Sequence, residues 1–421
     1  SMRIAMASGR VVVIGGGVVG ACCAYYLAKA GREVVVVDRG LFGAGCSHAN
    51  CGYVCPSHIL PLAMPGAIWS TLKTLFHKNS PLKVRPGTVL RNIGWFLGFA
   101  RRCNKRDMMD AGRGIQALLK SSRTLFDELI QKESIDCEWE EKGLLFVFKT
   151  AKQFDHYSHT DELLSSQFGM TAKRFDSSEL AALEPALKPG MAGGYLYQSD
   201  AHLKPDRLMA ELRRVLQSRG VEIQENREVL GFEKSNVGVK AVRTSKGEVS
   251  GDQFVVATGA WTPLLNRELG CRVPIQPGKG YSVTMPRPAL CPTYPLIFEE
   301  QRVAVTPFRS GYRLGSTMEF AGYDDSLNRS RIDLLIDAAK LYLRDPLAEP
   351  VLEEWWGWRP MTFDGLPIID RFPSAGNAMI AAGHNMLGLS MATATGKLVA
   401  EMLGGASPHI DPAPYSMMRF Q

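Results

Sequence analysis

The stretch RVVVIGGGVVGACCAYYLAKAGREVVVVD, Arg10 to Asp38, decides the fold. Val11 to Ile14 is a short β-branched run, Val18 to Ala30 is helix-like and stops at Gly31, and Glu33 to Asp38 is a second apolar strand. That order predicts one βαβ unit. Gly15, Gly17 and Gly20 fill GxGxxG in its turn. The first glycine permits the tight turn, the second a close backbone approach to a pyrophosphate, and the third contact between helix and strand. Asp38 closes the second strand, where a carboxylate can accept hydrogen bonds from ribose hydroxyls. A dinucleotide site follows, with NAD and FAD both open.

The surrounding totals suit a soluble globular protein of two domains, or one large domain with insertions: 421 residues, 45% apolar and 22% charged. Val11 to Ala28 carries no charge and imitates a signal anchor, but its glycines argue for a nucleotide turn. Ser1-Met2 reads as a cloning remnant. Nine cysteines form no CxxC pair and no zinc spacing with histidine, so buried thiols in a reducing cytoplasm are expected and no metal. Net charge is +7, yet Ile59 to Arg106 alone holds nine Lys and Arg and no Asp or Glu, leaving −2 for the remainder. Trp69, Leu72, Leu75, Phe76, Trp95, Phe96, Leu97 and Phe99 interleave with Lys73, Lys78, Arg101 and their neighbours. Such a mixture suits an anionic membrane surface or a partner subunit; a helix pair with a solvated charged face is the plainer reading. No nucleic-acid module accompanies it.

Further along, LFGAGCSHANCG from Leu41 to Gly52 is a small-residue loop that lets backbone lie against a flat ligand. Leu144 to Phe148 reads as a buried strand, and Glu162 to Phe168 and Ser177 to Leu183 as helices. Pro205 to Gly220 places Leu208, Leu212, Val215 and Leu216 on one face behind a leading proline, an amphipathic helix. Val221 to Gln224 and Asp252 to Ala257 read as strands, the latter running into ATGAW beside the nucleotide crevice. From Gln276 to Leu314 the short runs YSVTM, RVAVTPF and YRLGS read as antiparallel strands, the mark of an inserted second domain. Near the end, GHNMLGLSMATATGKLVAEMLGG opens a helix directly from a glycine-flanked turn at Gly383. A helix start offers unpaired N–H groups and a partial positive charge, so an electron-rich group is expected there.

These residues resemble the D-amino-acid oxidase-like flavoproteins, most closely their D-amino-acid dehydrogenase branch. The resemblance spans nearly the whole chain: GxGxxG with Asp38, GCSHANCG at 45 to 52, DAHLKP at 200 to 205, ATGAW at 257, KGYSVT at 279, WWGWRPMTFDGLPIID at 355 to 370 and GHNMLGLS at 383. It implies an α/β fold with a discontinuous Rossmann-like FAD-binding domain (8–60, 197–262 and 355–415). A substrate domain on a mainly antiparallel sheet (61–196 and 263–354) is inserted into it. It implies noncovalent FAD, held by Gly15, Gly17, Val19, Gly20, Asp38 and Arg39 on the nucleotide side and by Gly45, Cys46, Ser47, Asn50 and Gly52 in the loop. Val229, Ala257, Gly259 and Trp261 join from the middle of the chain, and Gly383, His384, Asn385, Met386, Leu387, Gly388, Leu389 and Ser390 from the end. The helix beginning near Leu387 would point its N–H groups at the flavin N1 and C2 carbonyl and stabilise the charge of the reduced ring. His48 lies beside, not at, the position of a linking histidine in some branches, and Cys46 stands where the dehydrogenase branch has threonine.

Amine oxidation by flavin needs a dry site, a held substrate and a neutral amine. An arginine fork suits the substrate carboxylate. Arg359, in WxGxRP, is matched by the carboxylate-binding arginine of the glycine-oxidase branch; Arg302 ranks beside it, above Arg309 and Arg313. Tyr281 and Tyr53 are candidate hydroxyl donors, and His384 a neutral donor near the helix start. His202 is expected to organise the domain junction. Some oxidases have a basic residue after the GH motif; Asn385, Met386 and Leu387 stand there instead and suit an apolar side chain or ring, so D-proline and hydroxyproline are candidate substrates. The expected enzyme is an FAD-dependent D-amino-acid dehydrogenase passing electrons to a quinone or carrier protein, cytoplasmic or peripheral on the inner face of the membrane. A soluble glycine or sarcosine oxidase making hydrogen peroxide, and a flavoprotein subunit of a larger electron-transfer complex, are the alternatives.

Overall fold

The computed structural model describes residues 9–74 and 80–420; Leu75, Phe76 and Lys78 of the basic-aromatic segment lie outside them. The βαβ unit is present as strand Arg10–Ile14, helix Val18–Lys29 and strand Glu33–Val37. The two strands pair in parallel with Val12 opposite Val35. They belong to a six-stranded sheet in the order Ile368–Phe372, Ala375–Ala382, Gln253–Val256, Arg10–Ile14, Glu33–Val37, Glu222–Gln224. Only the outermost pair, with Ile369 opposite Ala381, is antiparallel. The central strands Arg10–Ile14, Glu33–Val37 and Gln253–Val256 are buried valine-rich runs, as strands covered on both faces must be.

A second, nine-stranded sheet carries the strands read from Gln276 onward. Ile275–Met285, Val303–Phe308 and Gly311–Phe320 pair antiparallel, and Leu144–Phe148 and Gly193–Tyr197 extend the same sheet. Glu353–Thr362 lies along Ile275–Met285 with Arg359 opposite Gly278. The division expected at 355 therefore runs through a strand of this sheet, because the aromatic-rich WWGWRPMT pairs well on a pleated edge.

The helix Lys105–Glu133 lies inside the segment expected in the substrate domain but packs against the helices of the six-stranded sheet. Asn104 caps it, accepting from the Asp107 N–H at 3.0 Å. Ala111, Ile115, Leu118, Leu125 and Phe126 are buried in the core shared with the C-terminal helix Gly388–Gly404. At that contact the Ser122 and Thr393 hydroxyls are 2.6 Å apart. On its other side the C-terminal helix meets Val18–Lys29 so closely that a Cβ on Gly396 would come within 2.5 Å of the Cys22 backbone. Both helices follow strands parallel to Gln253–Val256, so both begin at the carboxyl edge of the sheet. Two helix N-termini far apart in sequence thus share one crevice.

Candidate active site

A cavity of about 1780 Å³ occupies that crevice and is bounded by residues of both sheets. A single small-molecule pocket occupies roughly 300 to 1,000 Å³, so there is room for a cofactor and a second ligand. Gly15, Gly17, Val19, Asp38 and Arg39 line one end, and Gly45, Cys46, Ser47, Asn50 and Gly52 continue the wall. Val229, Ala257, Gly259 and Trp261, then His384 through Ser390, complete the expected cofactor set. Two members of that set do not face the cavity. A Cβ on Gly20 would sit 1.9 Å from the Gly15 carbonyl oxygen, so Gly20 lets the helix close onto the turn. Gly383 has φ +82 and packs against Thr362, supplying the bend before the helix.

At the nucleotide end, Gly15 adopts φ +109, and a side chain there would meet the Ala257 carbonyl at 2.2 Å. Asp38 accepts from the N–H groups of Gly16 at 2.6 Å and Gly40 at 2.8 Å. The Ser47 hydroxyl takes the Val18 N–H at 2.9 Å, whereas the Val19 and Gly20 N–H groups find no protein acceptor among the described residues. Arg39 stacks over Trp261, 5.4 Å from the ring centre. Arg313 donates to the Asn50 carbonyl at 2.8 Å and so pins the small-residue loop.

At the other end, the C-terminal helix has no side-chain cap, and its first N–H groups, Gly388 to Ser390, are without protein acceptors among the described residues. Asn385, at φ +55, braces the turn through Thr362 and Gly383. The wall also holds Trp358, whose buried indole N–H has no acceptor among the described residues. Free N–H groups at two helix starts, a glycine turn no side chain could enter and an acidic ribose-side residue fit an extended dinucleotide with an electron-rich ring.

Arg359 lines the cavity together with Arg39, Arg227 and Arg302. Two residues of Gly311–Phe320 bulge opposite Gly280: Lys279 pairs with Glu319 but Tyr281 with Ser316, and Ser316 and Thr317 take φ +98 and +56. The bulge turns the Thr317 carbonyl to the Arg359 guanidinium, which donates to it at 2.7 Å. The guanidinium occupies the gap over Gly280, where a Cβ would come within 2.4 Å of it. Among the described residues no carboxylate pairs with Arg359, and burial pulls its pKa below the ordinary arginine value. Arginine stays charged nevertheless, so this fork is set for an anion.

The other expected substrate residues fare differently. Tyr53 lines the cavity, but its hydroxyl is directed to the Leu296 and Val305 carbonyls at 2.9 and 2.8 Å, leaving no proton for a ligand. Tyr281 faces away from the cavity: it donates to buried Glu319 at 2.8 Å, within a cluster that includes Arg85. KGYSVT alternates across its strand, and Tyr281 falls on the packed face. His384 spends Nε2 on Thr395 at 2.9 Å, and burial pushes its pKa down to about 3, so it is a neutral packing group. Arg302 lines the cavity at φ +53 and pairs with Glu299 at 3.2 Å. His202 bonds the Pro307 carbonyl and joins the short strand Ala201–His202 to the large sheet. His48 lies 2.8 Å from Glu353, away from the cavity wall. Sequence reasoning missed His58 and Glu299, which line the cavity beside Arg302. Neither stands in a recognised motif.

Comparison with known proteins fits this geometry. The family described as DAO, FAD dependent oxidoreductase, matches residues 10–402. The chain belongs to this family. The chain is similar to D-amino acid dehydrogenases of Granulibacter bethesdensis, 32% identical over 98% of this chain and 99% of that one, and of Methylobacterium nodulans, 35% identical over 98% and 99%. Glycine oxidase from Geobacillus kaustophilus superposes with TM-score 0.80 at 23% identity, covering 98% of this chain and 99% of that one. L-proline dehydrogenase from P. horikoshii gives 0.71 at 23%, over 98% and 97%. The DAO-family chain is thus an FAD-dependent oxidoreductase with the DAO fold. Among the described residues no cluster could hold a metal ion, all nine cysteines are free thiols, and no helix is long and apolar enough to cross a membrane.

Proposed function

We propose that the enzyme oxidises a D-amino acid or cyclic imino acid whose carboxylate is held by Arg359. The observation that carries this reading is a charged fork in the cavity wall with no anion to neutralise it among the described residues. FAD, when bound, supplies the hydride acceptor for the carbon that bears the amine. Gly15, Asp38 and the free N–H group of Val19 would hold its nucleotide part, and the start of the Gly388–Gly404 helix its ring. Noncovalent binding is favoured by His48 being engaged by Glu353 outside the cavity wall. Met386, Leu387 and Ile297 give the neighbouring surface an apolar character suited to an aliphatic chain or ring. Relatives named D-amino acid dehydrogenase favour the D configuration.

Electrons then pass to a quinone or carrier protein. Ile68, Trp69, Leu72, Leu90, Ile93 and Leu97 are exposed, Trp69 at 71% and Leu90 at 75%. Lys73, Arg91 and Arg101 stand among them, and Ala67, Leu72 and Leu90 also line the cavity. An exposed apolar and basic face continuous with the active-site cavity favours an acceptor at an anionic membrane surface. Trp95 is not part of that face: it is buried and donates to the Met361 carbonyl at 3.1 Å.

Anaerobic mixing of holoenzyme with D- and L-amino acids, prolines included, tests the reading through loss of flavin absorbance near about 450 nm. Bleaching by D forms or D-prolines is expected. Bleaching by none would remove amine oxidation, and bleaching by L forms alone would reverse the stereochemistry.

A further inference from the structure

Asp200 lies wholly buried in the middle of the chain, among residues that the proposed reaction does not otherwise use. Its Oδ2 accepts from the Ser57 hydroxyl at 2.5 Å and its Oδ1 from the Ser57 N–H at 3.1 Å. The same Ser57 oxygen is 3.2 Å from Nδ1 of His58. Because the serine proton is given to Asp200, Nδ1 must be the donor at the second contact, which leaves the lone pair on Nε2. That nitrogen has no protein partner among the described residues and is not enclosed, and His58 lines the cavity. Three side chains thus form an unbroken line of hydrogen bonds from the cavity surface to a buried carboxylate. The line begins close to the helix start, for Ser390 binds both the Tyr53 carbonyl and the Cys55 N–H just before it.

We propose that His58 accepts the proton of the substrate ammonium and hands it through Ser57 to Asp200. This rests on the amine-oxidation reading, in which the amine must be neutral before its carbon can give up hydride. The substrate N–H bond breaks as Nε2–H forms, Nδ1–H is replaced by Oγ–H, and the original serine proton moves to Oδ2. The net result is a neutral amine and a neutral carboxyl, with His58 neutral throughout the exchange. Ser57 and Asp200 are positioning and proton-storing groups; only His58 meets the substrate.

The surroundings suit that traffic. Burial, and after it the Arg302 charge, lowers His58 to about 4, so the ring is an unprotonated acceptor at neutral pH. Arg302 is itself paired with Glu299, which burial pushes upward. Burial raises Asp200 to about 7 against the two Ser57 bonds, the Ser199 hydroxyl and the more distant Arg123. Arg123 is bound to Asp127 and Glu141, and the remaining ionisable neighbours, the Cys55 thiol and the Tyr197 hydroxyl, are both pushed up by burial and stay neutral. A carboxylate poised near neutrality can take a proton and release it again.

The test is the pH dependence of anaerobic flavin bleaching by the best substrate, in wild type, Asp200→Asn and Ser57→Ala holoenzymes. The wild-type rate should rise through about pH 7, as Asp200 ionises. In the variants that limb should vanish, and at pH 8 the rate should fall by roughly 100-fold, the lower end of what a positioned base supplies. The deficit should close as pH passes the amine's own pKa, where no base is needed. In substrate-free protein, an infrared band of a protonated carboxyl should disappear near pH 7 in wild type and be missing in Asp200→Asn. A variant that keeps the wild-type limb, or loses the same factor at every pH, overturns the relay while wild-type bleaching still upholds the parent reading. If no amino or imino acid bleaches the wild type, the parent reading falls and the relay with it.

Discussion

Replacing Arg359 with methionine separates binding from stability in a way that the cavity geometry makes quantitative. The guanidinium donates to the Thr317 carbonyl at 2.7 Å and more weakly to the Met318 sulfur at 3.8 Å, and has no carboxylate partner among the described residues. A substrate carboxylate would take two charge-assisted bonds from the fork, each worth about 1.5 to 3 kcal/mol. Losing both, at about 3 to 4 kcal/mol net, raises Kd by roughly 10²- to 10³-fold. The fold should hardly notice. The Thr317 bond contributes about 1 kcal/mol, and removing a desolvated, unpaired cation returns a similar amount, so Tm should move by no more than about 3 °C. Methionine also fits beside the Met318 sulfur, 3.8 Å from Nη1. Anaerobic titration followed by flavin absorbance gives Kd, and differential scanning calorimetry gives Tm. Arg359→Lys should fall between, near tenfold, since it keeps charge without the fork. Unchanged Kd in Arg359→Met would refute the carboxylate role, and a loss of many degrees in Tm would show that Arg359 is a structural residue.

Tyr281→Phe should give the opposite pattern, with substrate Kd unchanged and stability lower by about 1 to 3 kcal/mol in urea unfolding, because buried Glu319 loses a donor. Burial raises the Glu319 pKa, but Tyr281, Arg85 and Asn328 outweigh it and hold it below the usual carboxylate range; Ser326 bonds, with Arg85 and Lys279, do the same for Asp324. Depressed carboxylates stabilise above their unfolded pKa, so this contribution should be intact at neutral pH and disappear as pH falls below about 4, a loss that acid titration of Arg85→Met should reduce. Gly20→Ala, whose Cβ would lie 1.9 Å from the Gly15 oxygen, should yield colourless or insoluble protein, while Gly404→Ala, with nothing within 4 Å, should stay yellow. Sedimentation with vesicles containing phosphatidylserine should retain wild type at low salt and release Trp69→Glu/Leu97→Glu, two exposed positions outside the cavity wall, whose bleaching by substrate stays normal; equal binding to neutral vesicles would contradict the anionic-surface reading.

The dinucleotide turn, Asp38, the small-residue loop and the helix at Gly388 were legible from residues 10 to 52 and 383 to 405, because glycine spacing and strand composition act over a few residues and any fold must obey them. The cap at Asn104 and the apolar spacing from Met108 to Leu129 also mark the long helix in the sequence. Which face each strand residue shows was another matter. Tyr281 and Arg359 both lie in motifs, yet strand alternation and the bulge at Ser316–Thr317 send one into an ion cluster and the other to the cavity. Asp200, Ser57 and His58 come together only because the short strands Tyr53–Val54 and Ala201–His202 pair across the chain. Local composition determined the elements and the nucleotide end, while long-range pairing, whose geometry no window of sequence contains, decided which side chains meet the substrate.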